Sequence, residues 1–84
     1  MQHFTKELNT ELGHVIFTFN SIYTVGGMRY YISVNDKKHH GYFFKMEAMR
    51  GKWFIEDNNL PGWVIKIQDA LSDTINEQTS KSDS

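Results

Sequence analysis

Four histidines, ten carboxylates and a handful of serines are the side chains in this sequence that could do chemistry. His39-His40 is the most conspicuous pair. Neighbours on a strand point to opposite faces, so two adjacent histidines rarely ligate one metal. A site would need one of them joined by Asp36 or by His14 from across a sheet. No set of ligands at metal-binding spacing accompanies them, and Lys37-Lys38-His39-His40-Gly41 reads as a solvated loop. His3 and His14 read as surface residues. The carboxylates that come in sets are Glu56-Asp57, where a turn needs polar groups, and Asp69, Asp73 and Glu77, spaced as one solvated helix row. Acid–base catalysis needs two groups converging on a pocket with separated pKa values, and neither set has that pattern. Ser33 and Ser72 have no histidine placed to activate them.

The motifs of nucleotide and hydrolytic chemistry are missing as well. The sequence contains no P-loop, GxGxxG, HExxH, CxxC or GxSxG. A chain of 84 residues has little room for both a core and a lined pocket. The expectation is therefore a non-enzymatic protein with no cofactor. Cysteine is absent, so neither a disulfide nor a thiolate metal site can staple the fold. No apolar run reaches the roughly 18 residues of a membrane span, and Met1-Gln2-His3-Phe4-Thr5-Lys6 has no signal-peptide core. A cytoplasmic protein with no membrane partner is expected.

The net charge of −1 argues against binding driven by electrostatics. The charge is unevenly spread. Residues 28–53 hold Arg29, Lys37, Lys38, Lys45, Arg50 and Lys52 against Asp36 and Glu47. Residues 54–84 hold Glu56, Asp57, Asp69, Asp73, Glu77 and Asp83 against Lys66 and Lys81. The middle is basic and the end acidic.

The elements that must position these groups are legible from periodicity. From His14 onward the period is two, with Val15, Phe17 and Phe19 on one face, although Asn20-Ser21 could bulge or break the run. Gly26-Gly27 suits a tight hairpin. Residues 28–34 place Met28, Tyr30, Ile32 and Val34 on the same side. Asn35 to Lys38 is a polar turn, residues 42–48 turn Phe44 and Met46 inward, and Arg50-Gly51 leads into 52–56 with Trp53 and Ile55 inward. Short loops between successive strands predict an antiparallel meander. The pattern then changes. Asn58-Asn59-Leu60-Pro61 suits a helix start, and Leu60, Val64, Ile67, Leu71 and Ile75 recur at helical steps. Acids at the far end oppose the helix dipole, which predicts fraying beyond Ile75.

The fold expected is thus α+β: a four-stranded antiparallel meander packed on one face by a C-terminal helix, in one domain over residues 14–78. Residues 79–84 are expected to be a disordered tail. Phe4, Leu8 and Leu12 repeat every four residues before Gly13, which predicts a short helix over 2–12. The same positions are all even, so an extended arm is the alternative.

The face opposite the helix carries the informative residues. It shows Ile16, Thr18, Ile22, Arg29, Tyr31, Phe43, Lys45 and Phe54, bordered by Lys52, where an ordinary solvated face would be nearly all polar. An interaction face built on Ile16, Arg29, Tyr31, Phe43, Lys45, Lys52 and Phe54 is predicted, unless the N-terminal arm folds back to cover it.

Gly51-Lys52-Trp53-Phe54-Ile55, Pro61-Gly62-Trp63-Val64 and Leu71-Ser72-Asp73-Thr74-Ile75 resemble small uncharacterised bacterial ββββα proteins. These share a GxWxI strand, a PxW[IV] helix start and an LSxxI helix end. The resemblance implies the fold and no assigned activity. In architecture alone, the ββββα order is also similar to half-barrel modules of single-strand-binding coactivators and of Pur repeats. Two functions follow as expectations. One is a protein-interaction module, self-associating through the aromatic face or through the sheet edges, with a homodimer as the expected form. The alternative binds single-stranded nucleic acid, with rings stacking bases and cations tracking phosphates.

Overall fold

The computed structural model describes residues 3–57 and 59–82. Five strands, β1 (His3–Thr10), β2 (Gly13–Thr24), β3 (Gly27–Asn35), β4 (Gly41–Met49) and β5 (Lys52–Ile55), are followed by two helices, α1 (Gly62–Ile65) and α2 (Gln68–Ser82). The strands form one antiparallel sheet in sequence order, so the chain is a simple meander closed by helices. The α+β class and the meander agree with the sequence; the number of strands does not.

The fifth strand is the N-terminal segment, which pairs with β2 along its whole length instead of forming a helix. Its hairpin turns through Glu11-Leu12, and Gly13 opens β2 at φ 96°, a conformation that costs a residue with a Cβ dearly. The Gly13 signal that suits a helix end thus serves a tight turn. Phe4 settles the choice energetically. Its ring stacks on Phe19 at 4.7 Å and meets Tyr30 edge-on at 6.1 Å, joining the core that a lone helix would leave.

β2 runs unbroken through Asn20-Ser21, with Ser21 buried opposite Tyr30, so no bulge forms. The next turn falls on Val25-Gly26, with Gly27 at φ 115°. Phe17, Phe19, Tyr30, Ile32 and Met46 are wholly buried on the inner face, with Phe44 and Trp53 beside them. Each such side chain contributes about 1.5–3 kcal/mol on leaving water.

The single expected helix is two. Pro61 lies outside the first, in extended backbone at ψ 153°, and the chain breaks at Lys66-Ile67 before α2 begins. The break lets the two segments cover different parts of the sheet. Trp63 of α1 lies 6.4 Å from the Phe17 ring and 6.0 Å from that of Tyr42, while α2 runs along β5. Val64, Leu71 and Ile75 are fully buried, as the stripe predicts.

Helix α2 continues past Ile75 to Ser82, against the expected fraying; of the expected tail, Asp83 and Ser84 lie outside the described residues. Part of the reason is Asn76. Its side-chain oxygen accepts the Trp53 indole N–H at 3.2 Å, and its amide donates to the Gly51 carbonyl at 3.1 Å. One turn back, the Ser72 hydroxyl accepts the Trp53 backbone N–H at 3.0 Å. Another turn back, the Gln68 side chain accepts that of Ile55 at 3.0 Å. These three residues, four apart, satisfy the outer edge of β5 as a further strand would.

Candidate interaction face

Strand register fixes where each outward side chain stands. Phe43 pairs with Ser33, which pairs with Thr18. One row on, Lys45 pairs with Tyr31, which pairs with Asn20. The next row holds Phe54, Glu47, Arg29 and Ile22. No helix or strand among the described residues lies over these rows, because β1 sits beside β2 with Phe4 and Leu8 on the inner side. The alternative in which the N-terminal arm covers this face is therefore excluded.

The structure brings together only part of the predicted set. Tyr31 and Phe43 are in contact, with ring centroids 6.3 Å apart. With Lys45, Glu56, Asp57 and Asn59 they line an open depression of about 570 Å³. Phe54 lies a row away, and Lys52, paired with Met49, lies at the far hairpin end. Ile16 stands toward the opposite end of the face, paired with Glu7 of β1. There it lines a second depression with His14, Thr18, Asn35, Asp36, Lys37 and His39.

Arg29 differs most from its expected role. Its guanidinium meets the Glu47 carboxylate at 3.1 Å and that of Glu56 at 2.9 Å, so two acids neutralise it. A cation held this way has no charge to spare for a phosphate. Its ion pairs also cut the apolar surface, separating Phe54 from Ile22. Lys45 makes no ion pair among the described residues.

The alternation turns Glu47 outward with Lys45, but sequence reasoning neither paired it with Arg29 nor brought Glu56 and Asp57 to this face. Glu47 stands opposite Arg29 once the β3–β4 turn is fixed, so the signal was present in the register. Glu56 and Asp57 come to the ring pair because β5 ends beside Lys45, where the Glu56 N–H donates to the Lys45 carbonyl at 2.9 Å.

Three of the histidines contact separate partners and share no common centre. His14 meets Glu7 at 3.1 Å, His3 contacts the Asn20 side chain, and His40 meets Asp36 at 3.2 Å. Backbone N–H groups of His40 and Lys38, together with the His40 ring, hold the Asp36 carboxyl below the ordinary range against a weaker opposing push from burial. Asp36 thereby organises the β3–β4 turn, in which His39 takes the unusual φ of 65°. No cluster of three or more potential ligands is present among the described residues. On the covered face, burial pushes the Tyr30 hydroxyl above its ordinary value, with a smaller contribution from Tyr23.

No helix among the described residues is long and apolar enough to cross a membrane. The chain matches no protein-family model, no curated protein and no solved structure.

Proposed function

We propose that this chain is a non-enzymatic protein-interaction module that self-associates through the open face of its sheet. The observation that carries the reading is the exposure of Ile16 at 59% and Phe43 at 61% on a face that no helix or strand among the described residues covers. The two edges of the sheet offer less. On β5 the outward N–H groups are taken by Gln68 and Ser72. On β1, Lys6 puts a charge on the inner side of the free edge, between Phe4 and Leu8, a device that disfavours edge-to-edge pairing. That leaves the face.

The nucleic-acid reading has one feature in its favour, the Tyr31–Phe43 pair beside Lys45. Against it stand the neutralised Arg29 and the carboxylates of Glu56 and Asp57 at the same rings, which would repel a phosphate.

Sedimentation of the parent and of Phe43→Glu tests the choice. Self-association predicts a concentration-dependent mass in the parent and a folded monomer in the variant, because a charge there is costly only when the face is buried against a partner. A parent monomeric at all concentrations overturns the reading. If that monomer binds a short oligonucleotide with a steep salt dependence, the alternative holds instead.

A further inference from the structure

We propose that β1 is a strand-addition edge for an extended segment of another protein, one that sets a carboxylate against Lys6 and apolar side chains against Phe4 and Leu8. This edge is separate from the open face and does not depend on what covers that face. β1 ends the sheet, with β2 on one side and no strand among the described residues on the other. The opposite end of the sheet is closed, because Ser72 and Gln68 take the outward N–H groups of Trp53 and Ile55 on β5.

The hairpin turn fixes which backbone groups β1 leaves open. Thr10 and Gly13 flank a turn of two residues and form a hydrogen-bonded pair, so Leu8, Lys6 and Phe4 bond to β2 in their turn. The alternate residues His3, Thr5, Glu7 and Asn9 direct their N–H and C=O groups outward. The same rule applied to the β4–β5 turn makes Trp53 and Ile55 the outward residues of β5, and theirs are the N–H groups that bond to α2. An incoming antiparallel strand therefore forms non-hydrogen-bonded pairs with Phe4, Lys6 and Leu8. These are the closer kind of pair, in which facing side chains touch.

Sidedness decides the partner. On the inner side, Lys6 lies between the half-buried Phe4 and Leu8 and makes no ion pair among the described residues. The carboxylate of β1, Glu7, stands on the other side and is paired with His14 at 3.1 Å. A second copy fits this row poorly. The register of greatest overlap sets Lys6 against Lys6, and a shift of two residues sets it against Phe4 or Leu8. A strand that reads apolar, acidic, apolar at alternate positions answers all three side chains. Main-chain bonds then give the affinity and the carboxylate gives the selection.

Fluorescence anisotropy with a labelled peptide, acetylated and amidated Thr-Val-Thr-Glu-Thr-Val-Thr, and with its counterpart carrying lysine in place of glutamate tests the edge. The glutamate peptide should bind the parent about tenfold more tightly than the lysine peptide, and Lys6→Glu should reverse that order. Thr5→Pro removes an outward N–H that β2 does not use, at an edge position where proline is tolerated. This variant should keep the parental melting transition and bind the glutamate peptide about tenfold more weakly. Should it fail to fold, the reversal in Lys6→Glu still decides. Equal binding of the two peptides, no reversal in Lys6→Glu, unchanged binding by folded Thr5→Pro, or no binding of the glutamate peptide by the parent overturns the assignment. A parental dimer that Thr5→Pro dissociates would give the edge to a second copy, which overturns it too.

Discussion

Along β4 the neighbouring residues Phe43 and Phe44 have opposite fates: Phe44 keeps 2% of its surface exposed and Phe43 keeps 61%. The same contrast separates Phe17 from Ile16 on β2 and Ile32 from Tyr31 on β3. Both faces obey one alternation, and both carry large apolar side chains. What distinguishes them is where the chain spends its covering elements. β1, α1 and α2 all deliver their apolar residues to the inner side: Phe4 and Leu8, Trp63 and Val64, Leu71 and Ile75. A sheet with one face sealed and rings left on the other has been built for stability on one side only. Beyond the Tyr31–Phe43 contact, the surplus on the open side packs against no other ring among the described residues, and the proposed interaction rests on it.

The contrast is broken most violently at Phe44. Phe44→Glu would place an unpaired charge among Tyr30, Ile32 and Met46, a cost of several kcal/mol that a domain this size cannot absorb. The variant should lack a cooperative thermal transition. A melt near the parental midpoint would mean that the sheet can invert its faces. Trp53→Ala comes next. The ring packs edge-on against Tyr30 at 5.0 Å and ties its N–H to Asn76, so truncation should cost roughly 3–5 kcal/mol in urea unfolding.

Effects at the β5 edge should be smaller. Ser72→Ala leaves the Trp53 backbone N–H without its acceptor in a buried site, at a cost of about 1–3 kcal/mol. If the loss is only a few tenths, the helix residues decorate the edge without closing it, and edge pairing returns as a mode of association. Truncation after Ile75 removes Asn76 with its two hydrogen bonds to Trp53 and Gly51, and about 1–2 kcal/mol should go with it. An unchanged midpoint would mean that the helix contributes nothing beyond Ile75.

Much of this architecture is legible from alternation, and the failures have physical causes. Residues 14–55 could be read because a period of two between turn signals fixes the strands. Phe17, Phe19, Tyr30, Ile32, Phe44 and Trp53 face inward as expected, although the break considered at Asn20-Ser21 does not form and the first of these turns falls on Val25-Gly26. The N-terminus could not be read, because Phe4, Leu8 and Leu12 fit periods of two and four alike. Pairing with β2, a long-range contact, decided between them. The break at Lys66-Ile67 was invisible because the apolar stripe keeps its spacing across it. Gln68, Ser72 and Asn76 went unread for a different reason. Polar residues four apart on a helix look like a solvated row, and only the position of β5 makes them a strand substitute. On the open face the rings and Lys45 were found, but Arg29 was credited with a charge that Glu47 and Glu56 cancel.

The smallest effect on stability is expected at Phe43, and it sharpens the comparison most. In the monomer the outer side of its ring already faces water, so Phe43→Glu gives up only the contact with Tyr31 and part of a half-exposed surface. A tilted ring contact of this kind is worth about 0.5–1 kcal/mol, and a glutamate beside Lys45 on the same face recovers some of it. The unfolding midpoint measured on dilute protein, where any dimer has dissociated, should therefore move by no more than a few degrees. At high concentration the parent gains stability from association and the variant does not, so the two midpoints should separate as concentration rises. Midpoints that differ strongly even in dilute protein would mean that Phe43 belongs to the fold. Midpoints that stay together at every concentration would mean that no copy covers it.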